Sequence, residues 1–175
     1  MGKACPAPPV KIVCGLLASG EERLEEGRRA LAGLLGEIDL SSRIIPFDLT
    51  SYYEPEMGPA LLRQFLSFQR LVSPEELAEI KLATNLLEDG LSFNSRRRVN
   101  LDPGYVDMSR LVLATTKDAS WRVYLGRGIW AESTLRFRKG SFCPWEWTYP
   151  DYRSDEAIAF FNLVRETYRN AIRAA

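Results

Sequence analysis

The run Arg96-Arg97-Arg98-Val99-Asn100-Leu101-Asp102-Pro103-Gly104-Tyr105-Val106-Asp107 sets three guanidinium groups beside carboxylates and a Pro-Gly pair. Guanidinium forks grip carboxylate and phosphate oxygens through paired N–H donors. Glycine lets backbone approach a ligand closely. If Arg97 to Leu101 is a strand, alternation sends Asn100 and Asp102 to one face and Arg97 and Leu101 to the other. Asn100 and Asp102 then hold a ligand hydroxyl or a metal together. The alternative is that Pro103-Gly104 simply turns the chain after the strand.

Ala131 to Arg138 carries a second set. Alternation puts Glu132, Thr134, Arg136 and Arg138 on one face. That face is either a solvated exterior or a polar cleft. In a cleft, Arg136 meets an anionic group and Glu132 serves as metal ligand or base. The segment Thr50 to Gly58 brings Tyr52 and Tyr53 next to Glu54 and Glu56. Two phenols beside two acids suit a stacked ring with polar edges; the alternative is an aromatic loop packed over the core. Lys81 and Asn85 lie one helical turn apart at an apolar boundary, where a lysine otherwise snorkels. Lys117 follows Thr115-Thr116. The candidate roles are therefore catalytic for Asp102 and Glu132, and ligand-binding for Tyr52, Tyr53, Glu54, Lys81, Asn85, Arg98, Asn100, Lys117 and Arg136. No metal ligand set is assigned; magnesium is the candidate cofactor, since carboxylates and water suit it.

The 175 residues contain no histidine. That removes Ser-His-Asp and Cys-His nucleophile systems and every His-ligated metal. The three cysteines, Cys5, Cys14 and Cys143, are too few and too scattered for a disulfide framework or a zinc site. Formal net charge is zero, which argues against broad attraction to nucleic acid or to an anionic membrane. No apolar run approaches the roughly 20 residues that span a bilayer. Residues 1–9 read as a flexible Pro-rich leader, too short for a signal peptide, and the expected location is the cytoplasm. Walker A and Rossmann glycine motifs are absent; Gly126-Arg127-Gly128 reads as a hairpin turn.

Residues 10–175 must fold as one α+β domain to position these groups. Val10 to Leu17 is a buried strand. Glu21 to Leu35 is a helix whose acids suit the positive end of its dipole. Arg43 to Leu49 and Gln64 to Leu71 read as strands. Ser73-Pro74-Glu75-Glu76 starts a helix with a capping box, along Leu77, Ile80, Thr84 and Leu87. Arg97 to Leu101 is the next strand, and Val106 to Thr115 reads as a short helix. Strands over Trp121–Leu125, Ile129–Phe137 and Ser141–Trp145 form a meander. Ser154 caps a last helix with Ile158, Phe161, Val164, Tyr168 and Ile172 on one face. The first six elements make a βαββαβ order, the ferredoxin-like split βαβ plan, with the two helices on a single face. An antiparallel meander and a C-terminal helix extend it.

Several motifs follow one another along the chain: Pro46-Phe47-Asp48-Leu49-Thr50, Tyr52-Tyr53-Glu54, Glu76 to Asn85, Arg98 to Tyr105, Leu113 to Asp118, and Trp147 to Arg153. Together they resemble a prokaryotic family catalogued as a domain of unknown function, whose members are sometimes auto-labelled GTP-binding. The resemblance covers nearly the whole chain from Val10 and implies nucleotide or phosphate ligands. The guanine-reading Asn-Lys-x-Asp motif is missing.

Two functions remain open. One is a small protein that binds or acts on a phosphorylated or nucleotide-like molecule. The other is a non-catalytic interaction domain using the aromatic loops around Tyr52 and Trp147. Single-stranded RNA binding is disfavoured because Arg97 to Leu101 lacks the aromatic pattern it needs.

Overall fold

A computed structural model describes residues 2–174. Nine strands form one antiparallel sheet: β1 Val10–Ser19, β2 Ile38–Ser41, β3 Ile45–Pro46, β4 Leu61–Val72, β5 Val99–Val106, β6 Arg110–Thr115, β7 Val123–Gly126, β8 Ile129–Arg138 and β9 Ser141–Pro144. Four α-helices accompany it: α1 Glu21–Leu35, α2 Glu54–Met57, α3 Leu77–Gly90 and α4 Asp155–Ala174. The strand order is β2-β4-β1-β5-β6-β8-β7, with β3 also on β4 and β9 also on β8.

β1 lies in the middle and is covered on both faces, which is why its sequence is a continuous apolar run. Ile12, Cys14, Leu16 and Ala18 pack with Leu24 and Leu31 of α1 and Ile80 of α3. Val13 packs on the other side with Phe160, Phe161 and Val164 of α4. So α1 and α3 share one face, and α4 takes the other. A 3-10 turn, Pro74–Glu76, leads into α3. There the Ser73 N–H donates to Glu76 Oε1 at 3.0 Å, and Ser73 Oγ accepts from the Glu75 N–H at 3.4 Å. Ser154 Oγ accepts from the Ala157 N–H and starts α4.

Several elements differ from expectation, and β2 and α2 form where no element was expected. Asp102-Pro103-Gly104-Tyr105 is no turn; β5 runs straight through it. Val106 to Thr115 is no helix; β6 occupies its second half. Leu111 and Leu113 face α4, while Val112 and Ala114 face α3. A strand buried on both faces shows no period of two, so it mimics a helix segment. Arg43 to Leu49 gives only the two-residue β3, because Pro46 brings no N–H to the ladder. β4 starts at Leu61, three residues before the expected strand, and so contains Arg63.

Cys14 is 1% exposed, and burial pushes its thiol well above the ordinary value. A thiol reagent is expected to label exposed Cys5 at once and Cys14 only on unfolding. Equal native labelling rates, read by mass spectrometry, would contradict this packing.

Candidate functional site

The sheet forks between β5 and β6. Their pairing begins only at Gly104–Leu113 and continues through Tyr105–Val112 and Val106–Leu111. Before that point β5 pairs only with β1, and beyond Leu113 β6 pairs only with β8. Pro103 stands at the fork. It has no N–H to give, and its nitrogen lies on the same strand edge as Leu101, two residues back. The Leu101 edge is closed by α3 instead of a strand. Its N–H donates to Glu88 Oε1 at 2.8 Å, and its carbonyl accepts from Lys81 Nζ at 2.8 Å. Both side chains are buried, so two charged side chains of α3 replace a missing ladder. On the opposite arm, alternation turns the N–H and carbonyl of Ala114 into the fork. The opening is a cleft of about 800 Å³.

The floor of the cleft is charged. Arg63 of β4 lies 3.0 Å from Asp102 Oδ2 and 2.9 Å from Asp151 Oδ2. The contact to Asp151 is close but off the hydrogen-bond direction, so Asp151 Oδ2 keeps no good donor. These groups meet over Gly15 of β1. A methyl group there would lie 2.3 Å from the Tyr152 hydroxyl and 3.0 Å from Arg63. Burial works against the Arg63 charge, yet the two aspartates together hold its pKa above the ordinary value. Asp151 is shifted upward, because burial outweighs the attraction of Arg63. Arg63 Nε and the Tyr152 hydroxyl are buried with no hydrogen-bond partner among the described residues. Asn100 Nδ2 donates to Asp102 Oδ2 at 2.9 Å, and Asn100 Oδ1 accepts from Arg97 at 3.0 Å.

Arg97 stands at the edge of this network. It bonds Glu56 at 2.7 and 2.8 Å and Glu88 at 3.2 Å. Burial raises the Glu88 carboxyl above its ordinary value despite Lys81 nearby. Across the cleft, Glu132 accepts from Arg122 at 2.8 Å and from the Trp121 indole at 3.2 Å. Lys117 has no carboxylate partner among the described residues. Its ammonium donates to the Tyr52 hydroxyl at 3.1 Å and sits 4.6 Å from that ring's centre. This bond lowers the Tyr52 phenol below its usual value.

Residues 8–168 match the family described as a domain of unknown function, DUF4416. The chain belongs to this family. No curated protein and no solved structure matches it. The match spans every strand from β1 to β9 and reaches into α4.

Of the sequence-derived candidates in this DUF4416 chain, Tyr52, Tyr53, Lys81, Asn85, Asn100, Asp102, Lys117 and Glu132 line the cleft. Glu54, Arg98 and Arg136 do not. Glu54 opens the single turn of α2 and is exposed. Arg98 turns toward Glu26 of α1, 3.9 Å away. Arg136 is separated from Glu132 by a bulge. Leu111 pairs with Leu135 but Val112 pairs with Ser133, so β8 carries one residue too many there. The extra residue reverses alternation and sends Arg136 to the other face, where it lies 4.0 Å over the Trp145 ring. Arg97 precedes β5, so strand alternation does not govern it, and it folds back to Asn100.

The sequence reading missed Arg63, Glu88, Arg122, Asp151 and Tyr152. One signal was present. An arginine in a run otherwise rich in Leu and Phe must find a buried counter-charge.

Proposed function

We propose that the β5–β6 fork binds a small phosphorylated or nucleotide-like molecule. The observation that carries this reading is the fork itself, a polar opening within the sheet whose floor keeps buried, unpaired donors. A site of this size and lining is a default ligand cavity. In this reading the phosphate meets Lys117. A ring packs against Tyr52 and Tyr53, whose centres are 5.0 Å apart. Asn85 and Asn100 read polar edges. Asp102, with 27% of its side chain exposed, accepts from a ligand hydroxyl.

The carboxylates do not fit magnesium. Asp102 and Asp151 share Arg63, and Glu132 holds Arg122. No group of three or more acidic or cysteine residues could hold a metal among the described residues. Asp102 and Glu132 are each engaged by an arginine, so binding, not acid–base chemistry, is the function proposed.

The ferredoxin-like plan is part of the same proposal. The order β2-β4-β1-β5, all antiparallel, with α1 and α3 on one face, supports it. It makes the fork the place where that unit meets the β6–β9 meander. A second reading has one favouring observation: Val123, Tyr124 and Leu125 are consecutive and exposed on the outer strand β7, an edge that invites a partner. Trp147 does not add to that surface, since it is stacked between Trp145 and Trp121.

A thermal-shift screen of nucleotides and sugar phosphates tests the proposal. A ligand at 100 times its dissociation constant should stabilise by about 2.7 kcal/mol. Lys117→Met should abolish that shift without lowering the ligand-free Tm, because Lys117 is exposed and has no carboxylate partner among the described residues. If nothing shifts Tm while the mass in solution rises with concentration, the interaction-domain reading replaces this one.

A further inference from the structure

A separate groove of about 620 Å³ lies beyond Arg97, lined by Arg23, Arg96, Arg97 and Arg98 with one carboxylate, Glu56. We propose that this groove is a second anion site, taking the phosphoryl group of a small molecule. The inference goes beyond the fork and stands without it.

The charge is unequally matched. Glu56 is taken by Arg97. Arg98 reaches Glu26 only at 3.9 Å. Arg23 bonds the Ser19 hydroxyl, and neither Arg23 nor Arg96 has a carboxylate partner among the described residues. Four guanidiniums around one carboxylate, in a chain of zero net charge, concentrate positive potential in a single concavity. A tetrahedral dianion supplies oxygens enough to meet several guanidinium forks at once.

Arg96 is also held in place. The Phe93 N–H donates to the Arg96 carbonyl at 2.9 Å, and the Arg96 N–H donates to the Phe93 carbonyl at 3.0 Å. The two residues between them, Asn94 and Ser95, have φ of 51° and 59°. This is the two-residue turn that needs left-handed backbone at both central positions, usually supplied by Asn-Gly. Here serine fills the second position, a conformation that L residues seldom adopt. The turn fixes the backbone of Arg96 at the groove, which Arg23 at the start of α1 also lines. Arg97 lines both the groove and the fork, so a phosphoryl group could arrive free or as the end of a molecule lying in the fork.

Titration with inorganic phosphate and with pyrophosphate, followed by Tm and by amide chemical shifts, tests the site. Both anions should bind the wild type, more weakly as salt rises, and the amide shifts at the groove should persist in Lys117→Met. The double variant Arg23→Gln/Arg96→Gln should bind about tenfold more weakly or worse, given the strength of charged hydrogen bonds. In the wild type, amides near Gly20–Arg23 and Asn94–Arg98 should move. Unchanged affinity in the double variant would overturn the proposal, as would no binding of either anion. Shifts confined to Thr115–Lys117, lost in Lys117→Met, would overturn it too, while leaving the fork as the anion site. Inorganic phosphate binding as well as pyrophosphate marks an independent site; a fork ligand whose affinity falls in the double variant marks one molecule spanning both.

Discussion

Arg63→Met is expected to destabilise the protein by about 3–5 kcal/mol at pH 7, the range for removing one partner of a buried ion pair. The side chain of Arg63 is 4% exposed and faces two aspartates, one of them, Asp151, at 5%. Methionine replaces the aliphatic stem of arginine, so apolar packing at the site is kept while the counter-charge is not. The loss should depend on pH. Asp151 already has a carboxyl raised above its ordinary value, mainly by burial. The native state therefore binds that proton more tightly than the unfolded chain does. Its contribution to stability is present at low pH and falls as pH rises through the window between the ordinary carboxylate value and the raised one. Removing the guanidinium, which lowers the Asp151 value, raises it further and deepens the fall. The gap between wild type and variant should thus be small at pH 4 and widest near neutrality. Urea unfolding at the two pH values measures it. A difference under ~1 kcal/mol at pH 7, the scale of an ordinary surface change, would mean that the aspartates find other donors.

The same cluster shows where sequence reasoning stops. α1 and α4 were legible because each carries a one-sided apolar stripe, and the entry to α3 because a capping box is local. β1 was legible as a short continuous run. β6 was not, since burial on both faces erases alternation and leaves only an apolar block. The Pro-Gly pair pointed to a turn because that is what the local preference favours. In the structure each residue has a different use: proline withholds a donor where the sheet forks, and glycine admits a neighbouring backbone.

The candidate site was legible as residue types more than as geometry. Asn100 and Asp102 share a face because β5 is regular between them. Glu132 and Arg136 do not, because a bulge cannot be seen in a pattern of single residues. Arg63 and Asp151 are 88 positions apart (151 − 63), and nothing local ties them. The register of β4, β1 and β5 brings Arg63 to Asp102 beside Gly15, and the loop before α4 brings Asp151 to the same arginine. Long-range pairs of this kind are set by the fold, so a local reading finds the polar residues without their partners.

Gly104→Ala should have the next largest effect, about 3 kcal/mol, the upper part of the range for overpacking. An added Cβ would lie 2.2 Å from the Val112 carbonyl oxygen and 2.7 Å from Leu113 Cδ2. The leucine can rotate, but the carbonyl belongs to β6 and cannot move alone. The strands must separate at Gly104–Leu113, the last pair before the fork. The ladder would then open further, and the distances from Asn100 and Asp102 to Thr115 and Lys117 would lengthen. Stability and fork binding should fall together. Gly33→Ala is the matched control. Gly33 lies within α1, and its added Cβ meets nothing within 4 Å; it should stabilise by roughly 0.5–1 kcal/mol through helix propensity. Chemical denaturation of the two variants separates the explanations. If both behave alike, Gly104 is not needed for close strand approach. If Gly104→Ala is destabilised but keeps wild-type ligand affinity, the fork does not depend on the β5–β6 register.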